Sequence, residues 1–159
     1  MSREAAAFWL EVHDHLRRDA AGLAAASGDY RDSPAQLAVV AAPRLRGLIA
    51  AMHGHHQIED FHYFPEFRRA QPHLSAGFDR LEREHASLNG AIASALAALG
   101  ELRVTVELPA EPAASATQQL AVQRYVDAAA ALCRELEQHL KDEETLVVPL
   151  LLEGGDADY

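Results

Sequence analysis

Four stretches of this chain repeat apolar residues at intervals of three and four, and each carries at least one histidine inside its apolar stripe. A period near 3.6 marks an amphipathic α-helix. An imidazole on the buried face of each of four helices needs a shared polar purpose, because burying it alone is costly. At about 100° per residue, Trp9, Val12, Leu16, Ala20 and Leu23 form one stripe with His13 inside it. Phe78, Leu81, Leu88, Ile92 and Leu99 form another around His85. Leu132, Leu136, Val147 and Leu150 form a third that includes His139 and Glu143. In the remaining stretch the stripe is Leu45, Leu48, Ile49, Met52, Tyr63 and Phe67. His56 and Glu59 lie near its centre, with His55 and Asp60 toward its edges. Angle alone does not choose between His55 and His56. Of the nine histidines, His15, His53, His62 and His73 are expected at the surface.

Punctuation sets the helix limits. The first helix is expected from about Ser2, as N-cap, to Ser27, with Gly28 as its stop. The second begins after Ser33-Pro34 or at Pro43 and runs to about Ala70, with Pro65 kinking or loosening its last turns. The third spans Gln71-Pro72 to Gly100, and Glu101 to Thr117 reads as a loop. The fourth runs from about Ser115 to Glu153. Ala, Leu, Glu, Arg and Gln dominate, and all are strong helix formers. The expected fold is all-α: an up-down-up-down four-helix bundle over residues 1–153, with a flexible tail over 154–159.

Charge and cysteine content narrow the function. The net charge of −10 and the lack of a basic stripe argue against nucleic acid and anionic lipid as partners. The single cysteine, Cys133, cannot form an internal disulfide and suits a reducing compartment. Without a basic-then-apolar leader or an uninterrupted apolar run of about 18 residues, a cytoplasmic location away from membranes is expected.

An internal echo organises the polar residues. His55-x-x-x-Glu59-Asp60 with Pro65 repeats as His139-x-x-x-Glu143-Glu144 with Pro149. One helical turn separates histidine from glutamate in both, so the two side chains reach the same point. On this ground His55 is the preferred partner of Glu59, and His56 its rival or a supporting residue. Four buried histidines and two buried glutamates would cost several kcal/mol if left unpaired. Bound cations remove that cost. Mixed imidazole and carboxylate donors without a thiolate suit iron or manganese, with zinc as a substitute. Asp60 and Glu144 are placed to hold the imidazoles by their outer ring nitrogens.

One inward histidine, an HxxxE, a further histidine and a second HxxxE together resemble the hemerythrin-like (HHE cation-binding) domains. The likeness runs from His13 through Pro149, in the phrases VHDHLRRD, HHQIEDFHYFP, LEREHASL and HLKDEETLVVP. It implies two irons with terminal ligands His13, His55, His85 and His139 and bridging carboxylates Glu59 and Glu143. It also implies an oxo or hydroxo bridge and an open position for dioxygen or peroxide. Oxygen-carrying members have a second histidine four residues after the third-helix one, where this chain has Asn89. That leaves an extra open position, or one filled by His56, Glu82 or Asp60. The expected role is therefore binding of dioxygen, nitric oxide or peroxide in transport, sensing or iron handling. The alternative is a di-iron oxidoreductase with catalase-like activity or activity on a small molecule.

Overall fold

The computed structural model describes residues 3–108 and 112–153. Among them every regular element is helical: α1 (Arg3–Asp29), α2 (Pro34–Ile58), a π-helical turn (Glu59–Tyr63), α3 (Phe64–Ala70), a 3-10 turn (Pro72–Leu74), α4 (Ser75–Thr105) and α5 (Pro112–Glu153). The segment from α2 through α3 forms one continuous arm, so the bundle has four arms. Neighbours in sequence are neighbours in space, and α5 closes the ring against α1. This is the up-down-up-down arrangement expected from short connections.

The ends of α1 and α4 differ from the sequence reading, and the structure selects the earlier of the two expected starts of α2. Helix α1 continues through Gly28 to Asp29, while Ser2 lies outside the described residues. Helix α2 starts at Pro34, with Ser33 at the N-cap position and Pro43 inside the helix. Helix α4 passes Gly100 and ends at Thr105, so Glu101 to Thr105 is helix rather than loop. A helical glycine costs about 1 kcal/mol. Leu102, fully buried one turn beyond Leu99 and Ala98, returns about 2 kcal/mol by leaving water. The last turn is tied off where Gln118 donates to the Thr105 carbonyl at 2.9 Å. The tail over 154–159 lies outside the described residues.

Pro65 acts as anticipated, through a specific device. Proline offers no N–H and crowds the carbonyl four residues back. The backbone widens just before it, with the Phe64 N–H reaching the Glu59 carbonyl five residues back. One extra residue in the turn rotates everything downstream by about one position. Phe64 is therefore fully buried, and Tyr63, expected on the stripe, is only partly so. Pro149, at the matching place in the echo, sits in an uninterrupted α-helix.

Two apolar clusters fill the bundle. The larger includes Leu16, Leu45, Leu48, Met52, Leu88, Leu136 and Leu140. The smaller includes Trp9, Phe64, Phe67, Phe78, Leu81 and Val147. The arm Pro34–Ala70 is long and apolar enough to cross a membrane on length and composition alone. Here its apolar face, Leu37, Ala41, Leu45, Leu48 and Met52, is buried in the bundle.

Candidate metal centre

Between the two apolar clusters lies a polar layer drawn from all four arms. His13 comes from α1, His55 and His56 from the end of α2, and Glu59 from the π-turn. His85 comes from α4, with His139 and Glu143 from α5. All are buried except His55, which keeps a small exposed edge. His15, His53, His62 and His73 face solvent, as their helix angles indicate.

The inward nitrogens converge in two pairs. His13 Nε2 and His55 Nε2 are 3.1 Å apart, as are His85 Nε2 and His139 Nε2. Glu59 spans the pairs, with Oε1 2.7 Å from His55 Nε2 and Oε2 3.3 Å from His85 Nε2. Glu143 mirrors it, with Oε1 3.3 Å from His13 Nε2 and Oε2 3.3 Å from His139 Nε2. Each carboxylate reaches both pairs, and Glu143 Oε2 lies 3.8 Å from His55 Nε2 as well.

The outer ring nitrogens determine what those contacts mean. The Nδ1–H of His13 donates to Glu144 Oε1 at 2.9 Å, and that of His85 donates to Asp60 Oδ1 at 2.9 Å. The Nδ1–H of His139 donates to Glu84 Oε2 at 3.0 Å. A neutral imidazole that donates from Nδ1 presents a lone pair at Nε2. The inward lone pairs of His13, His85 and His139 therefore face other imidazole nitrogens and carboxylate oxygens. The oxygens of Glu59 and Glu143 and Nε2 of His56 have no hydrogen-bond donor. Cations held by the two groups of donors would satisfy all of them. Two nitrogens bound at right angles to one ion by bonds of about 2.1 Å sit about 3.0 Å apart, close to both observed pairs.

Both His55 and His56 enter the layer. His55 joins His13, Glu59 and Glu143 in one cluster of donor atoms, and His56 joins Glu59, His85 and His139 in another. Adjacent residues straddle the helix face about 100° apart, so each serves a different half. The His56 ring stacks on His85 with centroids 3.9 Å apart. Burial, and then the imidazoles of His85, His139 and His55, lower its pKa to about 2, so it stays neutral with its lone pair free. The two glutamates divide unequally. Burial and the charge of Glu143 push Glu59 well above the ordinary carboxyl range. Glu143 is also raised by burial, but the imidazoles of His13, His139 and His55, where they turn a proton toward it, outweigh this and hold it low.

Other candidates fall outside the layer. Asn89 is exposed, so the position four residues after His85 offers no ligand here. Glu82 is paired with Arg68 at 2.8 Å. Asp60 holds the outer nitrogen of His85 rather than reaching the interior. Glu84 was not anticipated in its supporting role. Its signal in the sequence is its position directly before His85, which directs it toward the neighbouring arm. The Cys133 thiol rests 3.5 Å from the Ala20 carbonyl, away from the layer. Tyr63 packs edge-to-face on Trp9 at 4.8 Å, and Trp9 borders both His13 and His55.

No curated protein and no solved structure matches the chain. A family model, that of the hemerythrin HHE cation-binding domain, matches residues 4–151. With nearly the whole chain covered and two clusters of donors fit to hold metal, this protein belongs to the hemerythrin HHE cation-binding domain family.

Proposed function

We propose that the chain holds two iron ions side by side and offers them to dioxygen, nitric oxide or peroxide. The observation that carries this reading is that Glu59 and Glu143 each face at least one imidazole from either nitrogen pair. Such shared carboxylates suit two ions about 3.5–4 Å apart. His13 and His55 would hold one ion, and His56, His85 and His139 the other, with both glutamates common to the two. The donor set is nitrogen and oxygen only, which suits iron, with manganese or zinc as substitutes. Iron in such a setting supplies one-electron redox chemistry and an affinity for small oxygen- and nitrogen-based ligands.

The protein's own residues account for the rest. Glu144, Asp60 and Glu84 orient three of the imidazoles. The half built on His13 and His55 has one imidazole fewer, and Trp9 covers it. An added ligand is expected there. Close packing by Trp9, Phe64 and Phe67 favours a ligand of a few atoms over a large substrate. A cytoplasmic location without nucleic-acid or membrane partners belongs to this reading, on the grounds of charge and the single cysteine.

Metal analysis and optical spectroscopy on purified protein test the proposal. Iron near two per chain, with a ferric absorption band that changes on adding oxygen, nitric oxide or peroxide, is the expected result. Sustained oxygen release from peroxide would instead indicate a catalase-like oxidoreductase. Protein that takes up no iron under reducing, oxygen-free conditions would overturn both.

A further inference from the structure

The carboxylates behind the imidazoles are not held alike. Arg17 lies one turn after His13 on α1 and reaches across to α5 with its guanidinium fork. Its Nη1 donates to Glu144 Oε1 at 2.7 Å, and its Nε donates to Glu137 Oε2 at 2.9 Å. Glu144 Oε1 is the same oxygen that accepts the Nδ1–H of His13. Arg17, Glu144 and His13 thus form one relay from the rim of the bundle to the polar layer. On the other half, Arg80 donates to Glu84 Oε1 at 2.9 Å while Glu84 Oε2 serves His139. Arg80 is far more exposed than Arg17 and uses a different oxygen. Among the described residues no arginine backs Asp60, and no carboxylate backs the outer nitrogen of His55.

We infer that Arg17 is a positioning residue for the His13 half of the centre: by pinning Glu144, it fixes the His13 proton on Nδ1 and aims the Nε2 lone pair inward. Glu144 has a route to water, since its side chain is 23% exposed. Freed from Arg17 it can rotate outward, and His13 then loses the acceptor that selects its tautomer. The other half has three imidazoles to share the load, whereas the His13 half has two, one of them unbacked. Loss of this relay is therefore felt most strongly where ligands are fewest. The Arg17–Glu144 pair is partly buried, so its removal costs some stability, but the effect that distinguishes a positioning role is the change in metal affinity and in the His13 tautomer. This inference rests on the metal-centre reading above, and the experiment separates the two.

The test uses the full chain as wild type, Arg17→Gln, Arg17→Lys and Arg80→Gln. Metal-free protein is titrated with cobalt(II) against a competing chelator, and histidine tautomers are read by nitrogen-15 NMR in the metal-free state. Supporting-residue changes around metal ligands typically cost 10–100-fold in affinity. Arg17→Gln is expected to weaken one of two bound ions by about 10-fold or more, with an unchanged far-UV spectrum and loss of the His13 Nδ1–H signal. Arg17→Lys should recover part of the affinity, and Arg80→Gln should lose less. Arg17→Gln that binds both ions as wild type does, with His13 still protonated on Nδ1, overturns the inference. If wild type takes no cobalt the metal reading fails, and the tautomer result alone decides: a retained Nδ1–H in Arg17→Gln overturns the positioning role, and its loss upholds it. Should Arg17→Gln fail to fold, Arg17→Met, which keeps an apolar stem without a donor to Glu144, decides by the same two readouts.

Discussion

Acidifying the metal-free protein should destabilise it through His56, and the size of the effect follows from its surroundings. The ring is buried, stacked on His85 and without a partner at Nε2. Its pKa falls from 6.5 to about 2, by burial first and then by the imidazoles of His85, His139 and His55. Below pH 6.5 the unfolded chain binds a proton at this residue that the folded chain refuses. The contribution of His56 to stability is thus intact above 6.5 and is lost progressively as pH falls toward 2. One pH unit corresponds to about 1.4 kcal/mol for one proton. Between pH 7 and pH 5 the loss is about 2 kcal/mol, equivalent to roughly 4–8 °C in melting temperature for a chain of this size. Glu59 acts in the opposite direction. Its raised pKa stabilises the metal-free fold at low pH, and that contribution is lost as pH rises. The informative quantity is therefore the difference between wild type and His56→Gln, measured by urea unfolding of chelator-treated protein at both pH values. Wild type should lose about 2 kcal/mol more than the variant. Equal losses in the two proteins would refute the idea that His56 is buried as a neutral base.

Removing Glu59 should separate metal binding from folding: metal-free Glu59→Gln is expected to be at least as stable as wild type at pH 7, because burial and Glu143 penalise the Glu59 charge, while metal analysis shows at least one ion lost. His139→Ala should also lose an ion, whereas His15→Ala, on the solvent face, should leave metal content unchanged. Asn89→His, which adds an imidazole at an exposed position, is expected to leave the optical spectrum of the iron-loaded protein unaltered; a shifted band would mean that α4 can rotate this position inward. Leu45→Ala, at a fully buried core site, should cost about 2–5 kcal/mol in chemical denaturation without altering metal stoichiometry.

Much of the centre is legible in the one-dimensional order of residues. The stripes around His13, His85 and His139, and the repeated spacing of His55 with Glu59 and His139 with Glu143, state which side chains turn inward, because helical periodicity is a local property. The same reasoning anticipates Asp60 and Glu144 behind the imidazoles. It places the surface histidines outward, and the structure agrees. Three features lay beyond it. The helical course of residues 101–105 depends on burying Leu102 against other arms. The exchange of Tyr63 for Phe64 in the core depends on the π-turn before Pro65. The support of His139 by Glu84 depends on the approach of α4 to α5.

The amino-acid order by itself therefore determines four amphipathic helices, their inward polar residues and the donor chemistry of the centre, since each follows from side-chain type and a fixed rotation per residue. Only the packed bundle decides that His55 and His56 fall in different donor clusters, that Glu59 and Glu143 each reach imidazoles of both nitrogen pairs, and that an arginine stands behind Glu144. Those outcomes depend on distances between residues more than 25 positions apart in sequence, set by how the helices pack and turn against one another, which no local period encodes.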